Sequence, residues 1–277
     1  MAATTSTTLD DLFANIIMQA RFTAEEQSLM AGLITRYDIG NVAGKTIQVP
    51  KYPAVAAADL TEGTDMSSST VSTSSVTVTV GEVGAQVVLT DLAAMGAGNP
   101  AQELGTVLGN SIATKMDQDI IALFDGFSAS LGAAGQEITV ADLFKAAATL
   151  RNNKVTGPIS AVIHPFHAYQ LSANLTNTFA NPNGGDLQNE AMRNGFVGSI
   201  AGIDVYQSAN ITPDGSDDAK GCVFGREAMA IAMKRDFNLE TERNASLRAF
   251  ELNATAVYGV AELDDSYGVE MLFDAAL

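Results

Sequence analysis

The sequence predicts an α+β protein, and three patterns predict it. Residues 247–262 and 268–273 alternate apolar and polar side chains at period two, as long antiparallel strands do. From Asn99 to Gly126 the apolar residues return at the 3.6-residue spacing of one long helix. The other strand and helix signals mix without strict strand–helix–strand order, which argues against a parallel, doubly wound sheet. No internal repeat is visible.

Taken in order, Leu9, Leu12, Phe13, Ile16, Ile17 and Ala20 form one helical stripe, with Thr8 and Asp11 as a capping signal. A second start, Thr23 with Glu26, precedes Leu29, Met30, Leu33 and Ile34. These two short amphipathic helices could dock on their own domain or on a neighbour, and the sequence leaves both open. Thr46-Ile-Gln-Val-Pro50, Val76-Thr-Val-Thr-Val80 and Ala85-Gln-Val-Val-Leu89 then read as strands. Of the 19 residues from Thr61 to Thr79, 12 are Ser or Thr. Two strand-like arms around such a polar tip make a long β-hairpin, and β-branched residues suit its pleat. So long a hairpin, so poor in bulky apolar residues, does not hold itself together in water. Its expected support is another copy of the chain.

Asn99-Pro100 opens the long helix, with Asn as the cap and Pro at the first helical position. Leu104, Val107, Leu108, Ile112, Met116, Ile120, Leu123 and Phe124 carry it to Gly126, a length of roughly 39 Å at 1.5 Å per residue. Gly105 and Gly109 point to close backbone packing, since Lys115, Asp117 and Asp119 exclude a bilayer. Thr139 with Asp142 opens a helix through Leu143, Phe144, Ala147 and Leu150, ended by Asn152 and Gly157-Pro158. Ile159–Ile163 is a short buried strand, Pro165 begins a helix through Leu175, and Thr176–Asp186 is a loop. Ile203–Tyr206 and Cys222–Phe224 are further strands, separated by an exposed turn at 212–218.

The 277 residues carry 15 Lys and Arg against 32 Asp and Glu, a formal charge of −17, yet only 17% of the chain is charged and 47% is hydrophobic. An average soluble domain is roughly 25% charged. Low charge with ordinary apolar content excludes a disordered chain. Scarce base argues against phosphate neutralisation and hence against nucleic-acid binding. A largely uncharged surface fits a subunit covered by neighbours. Cys222 is the single cysteine, which rules out an internal disulfide and any cysteine metal cluster. No apolar run spans a membrane, and the small, hydroxylated start at Met1–Thr8 is not a signal peptide, so the Asn174, Asn244 and Asn253 triplets are read as unglycosylated.

Candidate chemistry is thin. His164 and His167 lack a third ligand at metal spacing and read as polar residues at a strand-to-helix junction. Asp214, Asp217 and Asp218 lack calcium-loop spacing and read as a solvated turn. Glu240 with Glu242, and Asp264 with Asp265, show no pocket signature for acid–base work. No phosphate loop, dinucleotide fingerprint or nucleophile elbow occurs. Cys222, within Cys-Val-Phe, reads as a small buried hydrophobe. The chain is accordingly read as a non-enzyme with no metal and no cofactor.

The order of elements resembles the major capsid proteins of tailed bacteriophages, which share the fold first seen in the phage Hong Kong 97. The resemblance rests on the arm to Tyr37, the hairpin from Gly44-Lys-Thr-Ile-Gln-Val-Pro50 with Glu62-Gly63, and the long helix closing through Asp119-Ile-Ile and Gly126. It continues through Thr139-Val-Ala-Asp-Leu143, Ala161-Val-Ile-His-Pro165, Gly198-Ser-Ile-Ala-Gly-Ile-Asp-Val205, Val223-Phe-Gly225 and Arg243–Phe273. The resemblance implies an N-terminal arm (1–43), an extended loop (44–91), a peripheral domain with a spine helix (92–137), an axial domain (138–244) and closing peripheral strands (245–277). It implies hexamers and pentamers in an icosahedral shell around double-stranded DNA, and the acid excess of the chain is expected to face that DNA in part as a non-adhesive lining. Expected partners are the chain itself, portal and scaffolding proteins and, further, a decoration protein. DNA is enclosed without sequence-specific binding, no membrane is involved, and the subunit is made in the host bacterial cytoplasm. Arg36, Lys45, Lys51, Glu62 and Asp65 are the candidate assembly contacts.

An encapsulin-like compartment shell, which shares the fold, is the alternative; a surface-layer or tail-tube protein is a third. The short arm implies a separate scaffolding protein. Some relatives join neighbours by a Lys–Asn isopeptide bond, but the hairpin here has only Lys45 and Lys51, both near its base. Mature particles are therefore expected to run as single chains on a denaturing gel, and a covalent ladder would overturn that expectation.

Overall fold

A computed structural model describes residues 28–40, 43–53, 55, 57–63, 65–66, 68, 70–96, 100–178 and 198–276. The expected helix at Leu9–Ala20 with its Thr8 signal, the Thr23–Glu26 start, the Asn99 cap and residues 179–186 of the expected loop lie outside them. The elements run α1 (Met30–Leu33), β1 (Thr35–Asp38), β2 (Thr46–Lys51), β3 (Ser74–Thr79), β4 (Gly81–Thr90), α2 (Asp91–Gly96), α3 (Pro100–Ile121) and β5 (Ser130–Gly132). There follow α4 (Val140–Asn152), β6 (Ile159–Ile163), α5 (Pro165–Thr178), β7 (Ser199–Ile200), β8 (Ile203–Gln207) and β9 (Asp218–Gly225). The chain closes with β10 (Met229–Asn244), β11 (Ala249–Glu262) and β12 (Gly268–Asp274).

The described strands form three sheets. The first has the order β1-β10-β11-β4, the second β5-β12-β9-β6-β8-β7, and the third is the β2-β3 hairpin. Local sequence sets several joints. Thr139 and Asp142 close a reciprocal capping box on α4. Ala201 and Gly202 both take positive φ, 55° and 77°, in the two-residue turn between β7 and β8.

Three apolar clusters fill the spaces between these layers. Leu108, Ile112, Met116 and Ile120 of α3 pack on Leu239, Leu252, Ala254, Ala256 and Tyr258 of the first sheet. The second sheet is covered on one side by Leu143, Ala146 and Leu150 of α4 with Leu171 of α5, which meet Ala161, Ile163, Val223 and Phe273. Val162, Cys222 and Phe224, which alternate with those residues, belong instead to the α3 cluster and so join the two bodies. In the third cluster Val78 and Val80, with Ile47 and Val49, lie on Ala232, Val257 and Ala261, the face of the first sheet away from α3.

The hairpin root therefore rests on its own chain. This corrects the expectation that a second copy supports the whole hairpin: the β-branched residues of β2 and β3 have an apolar face to cover within the subunit. Two apolar residues of the expected helical stripes also face outward. Val107 on α3 and Phe144 on α4 are 55% and 54% exposed, while Ala113 and Ala146 turn inward in their place. The long helix stops at Ile121, roughly 33 Å by its rise, and a 3₁₀ turn at Phe124–Gly126 follows. The tighter turn swings Phe124 under the second sheet, 6.0 Å from the Phe224 ring. Nor do the sheets follow the sequence segments: β10, within 138–244, pairs with β11, while β12, within 245–277, pairs with β9.

Gly259 is what allows the root to seat. It lies on β11 between Val257 and Ala261, and a Cβ there would stand 2.2 Å from the Thr79 carbonyl oxygen. Gly259→Ala is expected to lower the unfolding free energy by about 1–3 kcal/mol, as overpacking does. Chemical denaturation measures it, and an unchanged midpoint would show that the hairpin is not seated there.

Candidate assembly surface

The hairpin divides into a held root and a bare tip. Val80 N–H donates to the Lys45 carbonyl over 2.9 Å, and Lys234 Nζ donates to the Gly44 carbonyl. Lys51 Nζ, at the end of β2, sits 2.8 Å from Asp264 Oδ2 across the turn before β12. Asp264 also accepts from Ser266 N–H and Oγ, at 3.1 and 2.7 Å. Beneath the root lies a cleft of about 300 Å³ lined by Tyr37, Val49, Pro50, Val76, Leu263 and Tyr267. Beyond Lys51 every described residue to Thr73 is exposed. These include Tyr52, Val55, Leu60, Met66 and Val71. So many bare apolar side chains on one extended segment make it a candidate contact surface.

Charge at the root is arranged for the latch. Burial draws the Asp264 carboxyl upward, but Lys51 and the Ser266 donors together hold it below its ordinary value. Glu262 is pushed up by burial, then by Asp265 and Asp264, with Lys51 opposing.

The chain before β1 is fastened by one carboxylate. Asp117, 1% exposed on the inner face of α3, accepts from Ser28 Oγ at 3.1 Å, Leu29 N–H at 3.3 Å and Met30 N–H at 3.2 Å. Asn210 Nδ2 adds a fourth contact at 3.4 Å. Burial raises the Asp117 carboxyl while these donors lower it, with a net upward shift. Residues 28–34 thus dock on their own long helix. The sequence carries a signal for this, a carboxylate on the buried stripe between Met116 and Ile120.

The candidate contacts fall at two ends. Lys45 and Lys51 stand at the root, and Glu62 and Asp65 on the exposed tip. Arg36 is exposed on β1, which pairs in parallel with β10, a pairing that no local sequence pattern announces. The structure therefore groups Lys45 with Lys51 and separates both from Glu62 and Asp65.

The groups considered for chemistry are committed elsewhere. His164 and His167 are buried, and burial lowers both. His167 Nε2 lies 3.2 Å from the Phe273 carbonyl. Asp218 corrects the solvated-turn expectation. It is buried and accepts from Gly135 N–H at 2.7 Å, because the loop before α4 folds over it. Asp214 accepts from Ser216 and Asp218 N–H. Cys222 is fully buried and its thiol is pushed well up by desolvation, so it is no nucleophile. Among the described residues no group of three His, Cys, Asp or Glu is placed to hold a metal, and no helix is long and apolar enough to cross a membrane. What the arrangement offers is contact surface.

Residues 73–270 match a family model described as phage capsid protein. No curated protein matches the sequence. Among solved structures, a chain of Mycobacterium phage Che8 is 18% identical at a TM-score of 0.71, covering 90% of this chain and 91% of that one. A chain of the capsid of cyanophage P-SCSP1u is 18% identical at 0.69, covering 88% and 87%. A virus-like particle from Pyrococcus furiosus is 10% identical at 0.64, covering 94% and 98%. At these identities the likeness is one of fold.

Because the Asp264 carboxyl lies below its ordinary 3.8, the latch contributes fully above that pH and is lost as pH falls through the lower folded value. Lys51→Ala is expected to speed amide exchange over Thr46–Lys51 several-fold at neutral pH while lowering global stability by only about 0.5–1 kcal/mol, since the pair is partly exposed. Wild-type protein should show the same loosening only below pH 3.8. Equal exchange in variant and wild type at neutral pH would rule out the latch.

Proposed function

This chain belongs to the phage capsid protein family and forms part of a virion shell, and from that premise we propose that it is the major capsid protein of a tailed double-stranded DNA bacteriophage, assembling as hexamers and pentamers into an icosahedral head. The observation that carries this reading is the hairpin: its root is seated on its own sheet, while the described residues of its tip, between Tyr52 and Thr73, are all exposed. An element so built gains its burial from the adjacent subunit, and the area added is what an isolated chain cannot supply. Residues 28–34 are fastened to the body through Asp117, and in this reading the residues that precede them engage a second neighbour.

In this proposal residues 1–43 are the arm and 44–91 the extended loop, α3 is the spine helix, and 138–244 contributes the axial domain. Arg36, Lys45, Lys51, Glu62 and Asp65 act in contacts between subunits. Portal and scaffolding proteins, with a decoration protein in addition, complete the particle. The subunit is made in the bacterial cytoplasm and carries out no catalysis. A net charge of −17 supports a wall that contains DNA without adhering to it. The encapsulin-like alternative is less favoured, because the matching family model is that of phage capsid proteins.

Negative-stain microscopy of the protein expressed with its scaffold is expected to show closed shells. Heads isolated from the virion should contain DNA and one portal vertex. Tubes or flat sheets would overturn the capsid reading in favour of a tail-tube or surface-layer protein, and shells filled with protein cargo would favour the encapsulin-like one.

A further inference from the structure

Strand β4 is ten residues long and, among the described residues, is bonded on one side only. Its register with β11 runs unbroken from Thr90↔Ala249 to Gly81↔Tyr258, and it stands at the end of its sheet. Soluble proteins guard such an edge with lysine, proline or a bulge. Gly81–Thr90 contains no lysine or proline, its ladder has no bulge, and Glu82 is its single charged residue. Among the described residues no strand covers the outer edge.

The same chain carries an unpaired segment of matching kind. Residues 68–73, Ser-Ser-Thr-Val-Ser-Thr, are β-prone and lead directly into β3, and those described have no strand partner. Val71 is 49% exposed there, and Val88 on β4 is 48% exposed. Charge gives the direction. The Thr90 end of β4 adjoins Arg243, which pairs with Asp91 at 2.8 and 2.9 Å, and Arg248, whose carbonyl accepts from Asp91 N–H. The tip carries Asp59, Glu62 and Asp65 on the side of Val71 away from β3. An antiparallel match of Val71 to Val88 places Thr73 opposite Gln86 and leads those carboxylates towards Arg248.

We propose that the hairpin tip of one copy adds to the β4 edge of the next as a fifth, antiparallel strand, with Val71 opposite Val88. Main-chain hydrogen bonds join the copies, and the Val–Val pair and the Thr73–Gln86 pair select the register. The contact is head-to-tail, since tip and edge lie on different parts of one chain, and such contacts close into rings when the rotation permits. It rests on the capsid reading and names where the extended loop lands.

The test uses full-length chain carrying Val71→Cys with Val88→Cys. Both sites are about half exposed, and the native Cys222 is fully buried. A second pair one step along the register, Thr73→Cys with Gln86→Cys, serves if the first fails to assemble when reduced. Mild oxidation of assembled particles is expected to give a ladder of disulfide-linked chains, with a linked fraction about tenfold or more above that of either single variant or of the off-register pair Val71→Cys with Glu82→Cys. Normal shells without a ladder, a ladder only in the off-register pair, or a faster-running single chain bridged within itself would each overturn the proposal and leave the capsid reading standing. Failure of the wild-type chain to form shells at all would instead overturn the capsid reading.

Discussion

Strand β11 is packed against the long helix on one face and, at its Val257–Ala261 end, against the hairpin root on the other, and the rest of the molecule is arranged around that constraint. Its side chains alternate between two faces. Leu252, Ala254, Ala256 and Tyr258 meet the long helix, while Val257, Gly259 and Ala261 meet the hairpin root. A strand in that position needs neighbours on both edges, supplied by β10 and β4. It also needs a small residue where a second backbone crosses it, supplied by Gly259. Tyr258 is tied further by its hydroxyl, which donates to Asp119 at 2.7 Å, and burial with that acceptor raises its pKa. Helix, sheet and hairpin root thus form one stack whose middle layer is β11.

From that stack two segments leave in different physical states. The chain before β1 is tethered by a buried carboxylate that gathers three donors from residues 28–30. The hairpin is seated by apolar contacts at its root and by a partly exposed ion pair, and beyond Lys51 its described residues to Thr73 are all exposed in the isolated subunit. An exposed ion pair contributes little to stability, so the latch governs the hairpin's angle more than the fold's persistence. A subunit that joins a closed shell benefits from such a division, with a rigid body that stores shape and an extension whose burial waits for a neighbour.

The candidate site was legible in the sequence only in outline. The Ser/Thr-rich run from Thr61 to Thr79 and the low charge of the chain already pointed to a hairpin and to covered surface. Lys51 and Asp264 are more than two hundred residues apart in sequence, and no local pattern links them. Asp117 was visible as a carboxylate among apolar residues, but its partners sit at the far end of an intervening hairpin. The parallel pairing of β1 with β10 joins residues 35–38 to 230–233. Four residues carry too short an alternation to announce a strand.

Periodicity, caps and breakers are local, and what they encode survived folding: the long helix after Pro100, the capping box at Thr139, the buried strand at Ile159–Ile163 and the closing antiparallel strands. The tertiary structure decided whatever depends on a partner distant in sequence. It turned Val107 and Phe144 outward although both fit an apolar stripe, because a helix's inner face is set by what packs against it. It ended the long helix at Ile121 to place Phe124 beneath the second sheet, and it set the hairpin root on the subunit's own sheet through Gly259. A side chain's spacing is a property of its neighbours in sequence, whereas its burial is a property of the surface that folding brings to it.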